Sequence, residues 1–256
     1  MFDSLLLDSA IVVGVLHLGV PVVVKSTYRF SAHCKGTRLS LEELPADVAN
    51  LAAARVPQLQ GLGFQYLGCC DFGKLAMETQ TIVVSFTHEQ TQELANVWVS
   101  LSAGKTSSYL EFCTLTSDGI SLETSSNGVL PFAPENPEIR VFRFPAISEV
   151  AELHRIHRQI VAKYADNAWI QAEPQGCQIE RITRTIENYG PRLYKLGYLR
   201  PAENGESYGL TWKGAFRVAW SGMWPIAAIR RSMARHRMQN ELRSLEIHGA
   251  TRLQKA

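Results

Sequence analysis

Between Phe64 and Ser126 the chain places five strand-forming runs so close together that they can be joined only as a meander. "FQYLGCCDF", "TQTIVVSFT", "LANVWVSL", "SYLEFCTLT" and "GISLETSS" are rich in Val, Ile, Thr, Tyr and Phe, with polar or glycine punctuation between them. A parallel neighbour needs a crossover of about a dozen residues or more. The gaps here are shorter, so consecutive runs are expected to pair antiparallel. Ser117-Asp118-Gly119 reads as a tight turn between the last two.

Helical signals flank the runs. In "SLEELPADVANLAAARVPQLQGLGF" Ser40 stands as a cap with Glu43 three residues on, and the helix is expected to end near Gly61 with an interruption at Pro45 or Pro57. Ser148 opens "SEVAELHRIHRQIVAKY", where Val150, Leu153, Ile156/His157, Ile160 and Val161 recur at helical spacing, predicting a helix that covers the apolar face of the sheet. Between them "NGVLPFAPENPEIRVFRFP" allows an edge strand from Glu138 to Phe144. Apolar residues make up 46% and charged residues 20%, which suits a folded chain with a real core. The fold class is therefore α+β, a mainly antiparallel sheet packed with helices over residues 40–165. A helical, wing-like basic region is expected over 176–256.

The first 25 residues pose a separate question. Sixteen uncharged residues run from Ser9 to Val24, and twenty from Leu5 with Asp8 at the membrane surface, the length of a transmembrane helix. The valine-rich composition also fits two buried strands, "AIVVGVLHL" and "PVVVKSTYRF". Asp3 and Asp8 precede the segment while Lys25, Arg29, Lys35 and Arg38 follow it, which favours a single-pass anchor with the bulk of the chain in the cytoplasm, at the inner membrane. A secretory signal fits poorly, because Asp3 stands where positive charge is expected.

Charge is unevenly divided. From Lys213 to Ala256 nine Lys/Arg (Lys213, Arg217, Arg230, Arg231, Arg235, Arg237, Arg243, Arg252, Lys255) oppose Glu241 and Glu246, a net of +7; with +2 for the whole chain, the remainder carries −5. Such a tail seeks an anionic surface. Beside it, Phe216, Ala219/Trp220, Met223 and Ala227 recur as one helical face, and Pro225 kinks that helix or opens the next. Tryptophan prefers the headgroup level of a bilayer. Trp220, Trp224, Arg230, Arg231, Arg235 and Arg237 are thus the candidate membrane-surface residues. The competing reading packs Trp212, Trp220 and Trp224 into the body and leaves the arginines in solvent.

Searching for catalytic chemistry finds nothing complete. Gly104-Lys105-Thr106 has the last three residues of a phosphate-binding loop, but Val99 stands where that loop needs glycine, so a polar hairpin loop is expected. His154 and His157 share a helical face at metal-ligand spacing, yet no third ligand is nominated among His33, His88 and Glu152. The five cysteines (Cys34, Cys69, Cys70, Cys113, Cys177) contain no C-x-x-C pair, and Cys69-Cys70 reads as two small apolar residues of a strand. No metal or cofactor is expected. An enzyme would have to gather Glu111, Glu123, His88 and His154 from across the sheet.

Two resemblances bear on function. The run "IERITRTIENYGPRLYKLGYLRPAENGESYGLTWKGAF", through Gly197, Tyr198, Leu199, Leu210, Thr211, Lys213 and Gly214, looks like the wing of winged-helix DNA-binding domains, which implies a nucleic-acid partner; Pro191 departs from the family inside its recognition helix. The "LGF" after the first helix, "SDGISLETSSN" and "GYLR…LTWKGAF…W…WP…IRR" resemble bacterial membrane-anchored proteins of unknown function. The function expected is a membrane-anchored binding or scaffolding module facing the cytoplasm. Its partners would be a bilayer with anionic headgroups and a protein; a winged-helix-like nucleic-acid-binding protein is the alternative.

Overall fold

The computed structural model describes residues 2–128, 132, 136–165, 177–203 and 205–253. Met1, the segment 166–176 and Lys255 of the basic tail lie outside them. In chain order the elements are α1 (Phe2–Thr27), β1 (Arg29–Ser31), β2 (Thr37–Leu39), α2 (Ala46–Gly61), β3 (Phe64–Ala76), β4 (Thr79–His88), β5 (Leu94–Ser102), β6 (Lys105–Leu115), β7 (Ser121–Ser125) and β8 (Ile139–Arg143). Then follow α3 (Val150–Tyr164), α4 (Cys177–Glu187), α5 (Tyr189–Lys195), β9 (Leu199–Pro201), β10 (Ser207–Leu210), α6 (Trp212–Gly222) and α7 (Ile226–Leu253).

The five closely spaced runs are β3 to β7, and each pairs antiparallel with the next. β8 adds parallel to β7 at one edge, making the sheet mixed. At the other side β1 pairs with β3 and β10, and β10 with β9, so the hairpin of the wing-like stretch is sewn into the same ten-stranded sheet. Ala103 and Gly104, both at positive φ, make the two-residue turn between β5 and β6; of the polar hairpin loop expected at Gly104-Lys105-Thr106, Gly104 is in the turn while Lys105 and Thr106 open β6.

Period-two alternation gives the sheet two faces. Phe64, Ile82, Val84, Phe86, Ala95, Val97, Leu110 and Phe112 lie on one, buried with Val48 and Leu59 of α2, Leu153, Ile156 and Ile160 of α3, and Leu245 of α7. Cys70, Phe72, Val83 and Trp98 lie on the other, under Ile179, Ile182 and Ile186 of α4. A third core joins Phe30 of β1 to Leu193, Leu199, Leu210 and Ala215, with Val24 of α1 against it.

α2 starts after Pro45 and runs through Pro57 without breaking, while Ser40 donates its backbone N–H to the Glu43 carboxylate (2.7 Å) in a short 3-10 turn just before. The amphipathic helix expected to open at Ser148 is α3, Val150–Tyr164 with Glu149 at its cap position, and its periodic apolar residues are buried.

The N-terminal segment corrects the expectation of a membrane span. It is one helix, which removes the two-strand alternative, but no helix of the described residues is long and apolar enough to cross a membrane. Sixteen residues separate Asp8 from Lys25. At a rise of ~1.5 Å they extend about 24 Å, short of a hydrocarbon core of about 30 Å. α1 is therefore neither a transmembrane helix nor a single-pass anchor. α1 instead lies along α6.

The residues that resemble a wing have structural duties here. Thr211 caps α6 by accepting from the Gly214 N–H (3.1 Å) and donates to the Gly197 carbonyl (2.7 Å). Lys213 Nζ donates to the Leu196 carbonyl (2.8 Å) and covers the Tyr198 ring. A Cβ on Gly214 would stand 2.2 Å from the Tyr198 carbonyl oxygen. Gly214→Ala is therefore expected to destabilise the protein by about 1–3 kcal/mol or more, overriding the gain of up to ~1 kcal/mol from helix propensity. Denaturant unfolding measures it, and an unchanged or raised stability would show that α6 does not ride on that backbone.

Candidate functional site

Pro21 sits inside α1 and carries no N–H, so the helix cannot satisfy the carbonyl of His17 four residues earlier. The Trp220 indole N–H of α6 supplies the missing donor (3.1 Å). The His17 ring in turn reaches the Trp224 carbonyl through Nε2 (3.1 Å), just past the end of α6. A backbone defect in α1 is thus repaired by a residue about two hundred positions away. This repair fixes which face of α1 turns inward: Pro21 is buried and His17 half-buried, while Val15, Leu18 and Val22 are 64, 63 and 52% exposed. Their i, i+3, i+7 spacing makes them one uncovered stripe.

Other large apolar groups are exposed on α6, on α7 and between them. Trp224 is 74% exposed, Trp212 lies under the Lys25 ammonium (4.7 Å to its ring centre), and Ile229 and Met233 are exposed one turn apart on α7. Trp212, Phe216 and Trp220 form a row of tilted ring contacts along α6. Of the sequence candidates, Trp220 is therefore mostly an internal tie and Trp224 is the outer aromatic. Neither extreme reading of the tryptophans describes them all.

The arginines divide between two sides of α7. Ala227, Arg230, Arg231, Ala234, Arg235 and Met238 face a cleft of about 540 Å³ closed by Ser221 and Gly222 of α6, Gly128, and Pro145-Ala146. Arg237 is exposed and does not line it. Burial, and then the nearby Arg217 guanidinium, disfavour the charged form of Arg230. Arg231 and Arg235 are a like-charge i, i+4 pair, an arrangement that costs a bare helix about 0.2–0.5 kcal/mol. Helical periodicity could have placed Arg231 and Arg235 together, but the loop walls of the cleft left no such signal.

The scattered polar candidates separate by sheet face. His154 bonds the fully buried Glu93 (2.8 Å), which also pairs with Arg158 (2.6 Å). Burial alone would raise the Glu93 pKa; the His154 bond, followed by His157 and Arg158, outweighs it and brings the value down to about 2. His157 lies between the hydroxyls of Thr114 (2.8 Å) and Thr124 (2.9 Å), and burial drives its pKa to about 3, leaving it neutral. Both histidines of the possible metal pair are thus engaged by protein groups, and no cluster of three metal-binding side chains occurs among the described residues. His88 packs its ring against Phe64 on this same side.

Glu111 and Glu123 converge on the opposite face. Glu111 accepts from Trp98 Nε1 (3.0 Å) and from the Cys113 thiol (3.6 Å). Asn96 donates to Cys113 (3.6 Å) and accepts from Ser85 (2.9 Å). Glu123 accepts from Ser121 (3.3 Å), itself bonded by Arg181 of α4 (3.3 Å). Sequence reasoning had named the two carboxylates but not this row. Burial raises the Glu111 carboxyl against the Trp98 bond and then Arg143; at Glu123 burial and then repulsion by Glu111 bring the value to about 8, against the opposing pull of Arg181. Glu111, Glu123, His88 and His154 therefore form no common site. Comparison of the chain with family models, with curated proteins and with solved structures finds no match.

Trp220→Phe leaves the His17 carbonyl without a donor and is expected to cost about 1–3 kcal/mol; in a Pro21→Ala background, where residue 21 regains its N–H, the same change costs distinctly less. Strict additivity in denaturant unfolding would break the assigned link. The native state holds a proton on Glu123 that the unfolded chain releases near the ordinary carboxylate range, so stability is lost as pH rises from about 4.5 through about 8. Glu123→Gln should flatten that fall, whose slope for one proton is at most about 1.4 kcal/mol per pH unit. Identical pH profiles for the variant and the parent would refute the assignment.

Proposed function

We propose that the protein is a binding module that docks peripherally on an anionic lipid surface through the face built by α1, α6 and the start of α7. The observation that carries this reading is the uncovered stripe Val15, Leu18 and Val22, tied through His17 to the exposed Trp224 and accompanied by a basic helix. A soluble chain rarely leaves a continuous apolar stripe in water without a use for it. Nearby cations distinguish the partner: Lys25 stands over Trp212, and α7, which exposes Ile229 and Met233, also carries Arg231, Arg235 and Arg237, a mixture that suits headgroups over acyl chains. Each basic residue held near an anionic leaflet gains about 1 kcal/mol. The cytoplasmic leaflet is the surface of that charge. No helix needs to span.

Nucleic-acid binding draws less support from the geometry. α5, where the wing comparison puts a recognition helix, has seven residues including Pro191, and its hairpin is paired with β1 rather than free to enter a groove.

Co-sedimentation of the full chain with phosphatidylcholine vesicles, with and without phosphatidylserine, tests the proposal. Binding is expected only to the anionic vesicles and should weaken with salt. Leu18→Asp or Val22→Asp should weaken it about tenfold or more, given ~1.5–3 kcal/mol for burying such a side chain. Equal recovery with neutral and anionic vesicles, or none with either, would reject the reading.

A further inference from the structure

We infer that the cleft between α6 and α7 is a binding site for the phosphomonoester headgroup of an anionic lipid, with Arg231 and Arg235 as its ligating cations. The inference rests on the lipid-docking reading and adds a defined chemistry to it. Small side chains create the space: Ala227 and Ala234 alternate with the arginines along one face of α7, and Gly128 and Gly222 stand opposite. The resulting volume of about 540 Å³ is within the range of small-ligand sites, roughly 300–1,000 Å³. No carboxylate is among the described residues lining it, and neither Arg231 nor Arg235 forms an ion pair with a described residue.

The cations also suit this group in kind. Guanidinium forks match phosphate oxygens in pairs. A monoester offers three unesterified oxygens and more than one negative charge near neutrality, enough for two forks from successive turns of one helix. It also relieves the repulsion between the two arginines, which a diffuse ionic atmosphere does only in part. Ser221 supplies a neutral hydroxyl on the opposite wall. On the far side of α7, Ile229 and Met233 are exposed, so the helix that would hold the headgroup also carries apolar side chains available to the acyl region.

The test compares phosphatidylcholine vesicles carrying phosphatidic acid with vesicles carrying phosphatidylserine, matched in measured surface charge. A headgroup site predicts several-fold stronger retention by phosphatidic acid, abolished in Arg231→Gln/Arg235→Gln while the weaker binding to phosphatidylserine largely persists. Thermal unfolding confirms that the double variant is folded; both residues are exposed, so little change is expected. Equal retention at matched charge overturns the cleft assignment and leaves surface docking intact. Retention by neither vesicle overturns both readings. Titration with glycerol 3-phosphate in the absence of lipid separates the sources: saturable binding as strong as that to phosphatidic acid vesicles would assign the cleft to a soluble phosphomonoester instead.

Discussion

One hydrogen bond, from the Trp220 indole to the His17 carbonyl, organises the whole N-terminal side of the molecule. It exists because Pro21 withholds the N–H that would otherwise close that turn of α1. A buried carbonyl without a donor is costly, so the helix is held against α6 at the turn containing the defect. Everything on its outer side follows. Val15, Leu18 and Val22 are outward because His17 and Pro21 are inward, and Trp224 is brought beside them because the His17 ring holds its carbonyl. A helix with apolar residues all round thus acquires a buried face and a free one through a backbone constraint.

How much of this was legible depends on the range of the interactions. The meander could be read because five β-rich runs with short gaps leave one sensible pairing, and the α3 face because six periodic residues sit within one stretch. The N-terminal helix was misjudged as a span because hydropathy counts residues along a segment and ignores distant partners. Neither the Trp220 donor nor the shelf offered by α6 is visible in a window of twenty residues. β1, three residues long, and its pairing with β10 nearly one hundred and eighty positions later were equally beyond periodicity.

The candidate surface was legible in the same partial way. Composition isolated the arginine-rich helix and its tryptophans. What composition could not supply was their division: Trp220 is spent on an internal bond, Arg231 and Arg235 border a cleft, and Arg237 stands outside it. The walls at Gly128 and Pro145-Ala146 come from connections after β7 and β8, with no mark of their own beyond small side chains.

On the far face of the sheet, Ser85, Asn96, Glu111, Ser125 and Arg143 are consecutive cross-strand partners over five strands, while Phe86, Ala95, Phe112, Thr124 and Phe142 form the equivalent line on the core side. Sliding β6 or β8 by a single position would exchange the lines and drive Glu111 or Arg143 among phenylalanines. The ionisable line therefore serves as an alignment key, charging misregistered assemblies a desolvation cost that an all-valine sheet would not impose, and so selecting a single pairing from several that greasy side chains alone would tolerate.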